Sequence, residues 1–579
     1  MASTAKTLAN QPAPTTVEFP TTGAPPTPMH YGHVLQYCSS ACQKAHWLIH
    51  KLDCRSPHNK TTWVPEWSVE CRTPTFIGDG IPAPFGGKQY PYGNISAFDI
   101  LRLGANEGEA YASPLRLSFA ASGDLRNAVQ TVARLPQSYE QPIDIMNDRD
   151  FGIVARNAII LLVALTADDI DEASDCIIHI WYSSSIRKSH VDLFNQRIRP
   201  LIQSVCDKVK DKPATTNLGK TATFEKRSVK LILEKRAWDK LVSFMDASNG
   251  LTIDKANEIR KAVTFSLSRI DLHDCHFLFQ SPSHRVARHR FRQDDLLLPF
   301  GAQQSEHCEV NPTFFRSPDG WPMNDSVDPL LGWSLQEVDK TPFGPATPNI
   351  YGKLFYHIQS MLERFMARMS KSTVAFQSLQ VDAETLPDYL DGSFDRIDAS
   401  NISDCHFLGV YRTVELLAPL LRVRAPSINP HATLITLFLN TVQEYSTQED
   451  NLKTVKALAG RIFKYLPPPR PIKGGIDPFS VMGTYAQGRV QNYDDNFERF
   501  VKKTRLAFMP LMAGAAIKDK HTIIEKWPYR LKLDPEQERG KEELYRLITN
   551  GVTSRELYLE WKRTQDQNVF EREVTLTLK

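Results

Sequence analysis

PLRLSFAASGDLRNAVQTVARLPQSYEQPIDIMNDRDFGIVARNAIILLVAL, residues 114 to 165, alternates short apolar runs with turns, and that rhythm decides the architecture. Leu115 to Ala121 is an apolar run that stops at Ser122-Gly123-Asp124, where glycine tolerates the positive φ of a tight turn. Apolar residues then recur at Leu125, Ala128, Val129, Val132 and Ala133, a helical spacing closed by Pro136. Ile143 to Met146 is a second short run, ended by Asn147-Asp148-Arg149-Asp150, and an apolar helix follows to Leu165. Strand, helix and strand in this order make one right-handed parallel unit, the half-site of a nucleotide-binding sheet.

Working outward, the same pattern resumes late in the chain. Thr373 to Val381, ending at Asp382, Phe394 to Ala399 and Ala432 to Asn440 read as three more strands. Tyr351 to Met369 carries a continuous apolar stripe at helical spacing and reads as a core helix. The predicted fold class is therefore α/β, a mainly parallel Rossmann-like sheet over residues 98–165 and 349–445. Residues 166–348 read as a helical insertion, with Phe224 to Met245 one of its helices, because so long a loop should carry its own structure. Residues 446–579 read as a mixed, charged, mainly helical C-terminal region, 61–97 as a Pro/Gly-rich linker and 1–28 as disordered.

Composition narrows the function classes. With 579 residues, 41% hydrophobic and 23% charged, the chain is globular and too long for one ordinary core. A net charge of +3 argues against a dedicated nucleic-acid binder. The Arg156-interrupted stretch from Ile153 to Leu165 is too short to span a bilayer, so no membrane role is expected. Nine dispersed cysteines fit reduced thiols, in a cytoplasmic or nuclear setting. The basic run Arg285 to Arg292 reads as a solvated face. The histidines and cysteines between His273 and Cys308 match no metal spacing.

One cysteine group does. YCSSACQKAHWLIHKLDC, Tyr37 to Cys54, places Cys38, Cys42, His50 and Cys54 in a C-x3-C-x7-H-x3-C pattern, the thiolate and imidazole donors of a structural zinc site. This wording resembles the second half of a MYND-type zinc finger. The resemblance implies zinc and a protein partner. It also implies that Cys38 and Cys42 share one ion with a first upstream cysteine pair, and His50 and Cys54 a second ion with another. Residues 1–37 contain no cysteine. A single rearranged site, ligands from elsewhere, or no metal all remain open.

The strand pattern in turn resembles a class I S-adenosylmethionine-dependent methyltransferase fold. That resemblance implies a cofactor cleft with Gly123 in the first turn, Asp148 on the ribose and Asp382 on the adenine. The first turn holds one glycine where such enzymes carry two or three, and residues 400–404 lack their Pro-Pro-aromatic motif. The phrases GDLRN, NDRDFGIVARNAIILLVAL and FDRIDASNISD are also similar to a mostly fungal family of unknown function. That family is related to the N-terminal part of a dynein axonemal assembly factor, which implies a role in protein assembly. The expected function is an intracellular adaptor on a methyltransferase-like scaffold without catalysis. The alternative is an active methyltransferase of a protein or small molecule.

Overall fold

The computed structural model describes residues 40–77, 85–121, 123–147, 150–299, 302–316, 320–343, 348–390, 393–422, 429–470, 475–549 and 553–564. The expected disorder of residues 1–28 therefore lies outside the described residues. Nine strands build the main sheet: β1 (Leu115–Phe119), β2 (Ile143–Asn147), β3 (Asn217–Phe224), β4 (Arg227–Glu234), β5 (Val374–Leu379), β6 (Arg396–Asp398), β7 (Thr433–Phe438), β8 (Ala515–Ile517) and β9 (Leu557–Arg563). They lie in the order β8-β9-β7-β6-β1-β2-β5-β4-β3. The run from β7 through β6, β1, β2 and β5 to β4 is parallel throughout. β3 closes one edge antiparallel to β4, while β9 runs antiparallel to β7 and β8 antiparallel to β9.

Seven helices pack on this sheet or carry the functional segments: α1 (Ser40–Arg55), α2 (Arg126–Ala133), α3 (Phe151–Thr166), α4 (Ile170–Tyr182), α5 (Ile270–Phe277), α6 (Pro282–Asp294) and α7 (Ile350–Lys371). Each expected strand of the parallel sheet forms, and β7, buried on both faces, reads as the near-continuous apolar run such strands carry. β7 shows the consequence. Ile435 and Leu437 enter the core shared with α2, α3, α4 and α7, while Leu434 and Phe438 enter a second core with β9 and residues 410–421. The sheet is a wall between two hydrophobic layers. α3 is buried nearly all round, and Asp150 caps it by accepting from Gly152 N and Ile153 N at 2.9 and 3.2 Å. Among the described residues no helix is long and apolar enough to cross a membrane.

Two expectations need correction. Phe224 to Met245 is not one helix. Arg227–Glu234 is β4, a helix follows only at Lys235–Ser243, and β3 with β4 extends the main sheet beside β5. In the run V-K-L-I-L from Val229, the residues Val229, Leu231 and Leu233 are buried and alternate with half-buried neighbours, a period of two. The C-terminal region, expected to be helical and mixed, supplies β8 and β9. Their signal is hidden because Leu557–Arg563 carries charge at Glu560 and Lys562.

Candidate functional site

The chain leaves β1 for β2 on one side of the sheet and returns to β6 on the other, so the carboxyl ends of β1 and β6 flank a topological switch point. Open α/β sheets bind their ligands in this crevice. Here it is filled by the chain itself. Asp124, just past β1, accepts from Arg126 N at 2.9 Å with Oδ1, taking the anion position at the start of α2. Its Oδ2 accepts from Arg126 Nε at 2.7 Å, and both side chains are about nine-tenths buried. The Arg126 guanidinium also donates to Ile95 O at 2.7 Å and to Gly332 O. Burial opposes that charge, and Asp124 beside it outweighs the penalty, so the pKa of Arg126 is raised. Gly93, at φ +78°, and Gly332 make room for the guanidinium, since a Cβ on either would collide with it.

Across the crevice Asp398 ends β6. Its carboxylate accepts from Asn127 Nδ2 at 2.9 Å and from Ser400 N at 3.0 Å, and burial pushes its pKa up. The space left is about 60 Å³, lined by groups that include Asn94, Asn127, Asp398, Asn401 and Tyr558. Small-molecule sites run to roughly 300–1,000 Å³. Among the described residues this space is too small for S-adenosylmethionine. Of the three residues expected to hold it, Gly123 does adopt the turn, at φ +65°, with nothing within 4 Å of where a Cβ would stand. Asp382 is exposed, and its carboxylate closes a local turn by accepting from Glu384 N at 3.0 Å. Asp148 lies outside the described residues. The residues that do define the crevice, Asp124, Arg126 and Asp398, carried a sequence signal only in the Asp-x-Arg at the start of α2.

The zinc-finger segment is built on α1. His50 is buried, at 2% exposure, and its Nε2 lies 2.7 Å from Cys54 Sγ one turn later. This is an i, i+4 pair on one helical face. Burial raises the Cys54 pKa, and Asp53 adds to the shift. Cys42 sits in the first turns of the same helix, and Cys38 lies outside the described residues. The helix rises about 1.5 Å per residue, so Cys42 and His50 are separated by about 12 Å along the axis. Bonds of about 2.0–2.3 Å to one ion cannot bridge that rise on an intact helix. On this helix, therefore, Cys42 cannot share one ion with the His50–Cys54 pair.

The residues after α1 are fastened to the body. Asp53 pairs with Arg290 at 3.0 Å, and Arg285 donates to His58 O at 3.0 Å and to Lys60 O at 2.7 Å. Arg72 pairs with Asp271 at 2.6 Å, and Trp67 is fully buried against Cys275 and Val481. The basic run Arg285 to Arg292 is thus an internal strut, not a solvated face. Arg285, Arg288 and Arg292 are each under a tenth exposed, and Arg288 pairs with Asp328 at 3.2 Å. Around it, burial drives the His276 pKa down to about 3 and the Cys275 thiol up to about 12.

Comparison with known families agrees with part of this picture. A family model described as MYND finger matches residues 33–54, which implies zinc binding and protein–protein contact. A model described as Domain of unknown function (DUF4470) matches residues 91–186, the span from the crevice lining to the end of α4. No curated protein matches, and no solved structure matches.

Proposed function

We propose that this chain is a zinc-dependent protein-interaction adaptor in which a methyltransferase-type sheet serves as a scaffold without cofactor chemistry. The observation that carries the reading is the contrast in exposure along α1. His50 faces inward on the fastened side, whereas Leu48 and Leu52, one turn apart on the other, stand 72% and 70% exposed, and Trp47, edge-on to the His50 ring at 6.2 Å, is 39% exposed at the border between the two. An apolar stripe of that kind, on a helix anchored by its neighbours, is a docking face. The other zinc ligands would come from the segment before Ser40 or from the partner. When bound, zinc would fix the His50–Cys54 face and hold the stripe in register. A role in protein assembly is compatible with this reading and rests on family resemblance alone.

The strand order favours a methyltransferase-type ancestry, since β5-β2-β1-β6-β7 is parallel and is followed by the reversed strand β9 and then β8. The Arg126 plug argues against retained catalysis. Calorimetry with S-adenosylmethionine on the full chain tests the reading, and no saturable heat is expected. Saturable binding that is lost in Asp382→Ala would favour the active-enzyme alternative. Metal analysis tests the finger: bound zinc should fall in His50→Ala and in Cys54→Ser, and zinc content equal to wild type in both would refute the assignment.

A further inference from the structure

Among the described residues, one group of histidine, cysteine and carboxylate side chains brings three ligand atoms within 4.8 Å of one another: Cys405, His406 and Glu444. It is remote in sequence from the finger and lies at the carboxyl edge of the sheet. Cys405 and His406 follow the 3-10 turn Ser400–Ser403 that leaves β6, and Glu444 ends the short helix Thr441–Glu444 that leaves β7. Neighbouring parallel strands thus deliver the three donors to one spot.

The spot is held in place. The Asp404 carboxylate, next to Cys405, accepts from Leu439 N at 2.9 Å, Asn440 N at 3.3 Å and Asn440 Nδ2 at 3.2 Å. Asp404 is 1% exposed, so its burial makes that clamp strong. It ties the Cys405–His406 turn to the end of β7 and so to Glu444. Gly409, at φ +76°, lets the chain turn out of this loop. Glu444 Oε1 is the shared vertex, accepting from Cys405 Sγ at 2.8 Å and lying 3.9 Å from His406 Nε2. Ligands on a tetrahedral zinc ion stand roughly 3.3–3.6 Å apart, given bonds of about 2.0 Å to N and O and about 2.3 Å to S. Both distances reach that range with shifts under about 1 Å, available to side chains this exposed.

We propose that Cys405, His406 and Glu444 form a second divalent-metal site, selective for zinc-like ions and open to solvent at its fourth position. Sulfur and imidazole donors disfavour magnesium and calcium, which take oxygen ligands. Three protein ligands with one open position is the coordination of a site that binds water or an external ligand. On binding, the Cys405 S–H bond breaks, a metal–sulfur bond forms and the proton passes to solvent, so affinity rises with pH. The site does not depend on the adaptor reading.

The test uses the full chain, stripped of metal under reducing conditions. Cys405 alkylation by iodoacetamide is followed by peptide mass spectrometry with and without added zinc. Zinc is expected to slow alkylation of Cys405 by at least about tenfold, and His406→Ala or Glu444→Gln to abolish that protection. Cys71 and Cys308, exposed and remote from this group, report nonspecific thiol binding and should show no protection. The proposal is overturned if Cys405 reacts equally fast with zinc, if Cys71 and Cys308 are protected as well, or if protection survives in the His406→Ala/Glu444→Gln double variant.

Discussion

The crevice between β1 and β6 and the helix α1 both carry the outline of a ligand site, and they fail to complete it in opposite ways. The crevice has the backbone of a binding site and little room, because Asp124 and Arg126 satisfy one another where a ligand's charge would go. α1 has a thiol and an imidazole in place, Cys54 and His50 at 2.7 Å, which on the proposed reading are half of a zinc ligand set. A site whose buried charges are internally paired gains little from binding. A half-set of metal donors gains much, since metal binding and local folding are coupled.

The comparison breaks most visibly at Arg126. Arg126→Ala should leave Asp124 as a buried, unpaired carboxylate and cost about 3–5 kcal/mol in chemical denaturation. A loss below about 1 kcal/mol would mean the crevice is not held shut by this pair. Next comes the strut. Arg285→Ala removes charged donors to His58 O, Lys60 O and Gln280 O. It should cost about 2 kcal/mol, felt as faster hydrogen exchange over residues 53–72 and with little change in the sheet. Equal loss of protection in β1 and β2 would show that the strut supports the whole body.

The smallest effect is in pH. Asp274 accepts from Glu66 N at 3.1 Å, and burial lifts its carboxyl to about 6. The unfolded value is about 3.9, so the folded state holds the proton more tightly. Its contribution is fully present below about pH 4 and is lost as pH rises through about 6. Asp274→Asn keeps an acceptor for Glu66 N without the charge. It should flatten stability between those pH values by about 1 kcal/mol after solvent screening, as read from denaturation midpoints across pH. An unchanged slope in the variant would place the titration elsewhere.

How far each feature was legible depends on its physics. β1, β2, β5 and β7 are mainly apolar runs and are readable as such, whereas β6, Arg396-Ile397-Asp398, is marked by its place between two turns and not by apolar content. β9 is not, because Glu560 sits fully buried in it. The carboxylate there accepts from Ile523 N at 2.7 Å and Ile524 N at 2.9 Å, and pairs with Lys518 at 3.1 Å. Those partners are remote in sequence, so the residue reads as a surface charge. β4 was obscured by an apolar cluster compatible with either period. Cys405, His406 and Glu444 have no spacing to recognise, since a strand and its connections separate the donors.

What the sequence determined by itself is local. Apolar periodicity set the strand–turn–helix–strand unit from Leu115 to Leu165, and four donor residues in eighteen set the finger segment. What only the tertiary structure decided is compensation. Whether Arg126 reaches a ligand or Asp124, whether Arg285 faces water or backbone carbonyls, and whether Glu560 is exposed or buried all depend on groups brought together by folding. Hydrophobic burial is additive along a segment and leaves a pattern in it. Pairing a buried charge requires a particular partner at hydrogen-bond distance, and nothing in the local sequence names that partner.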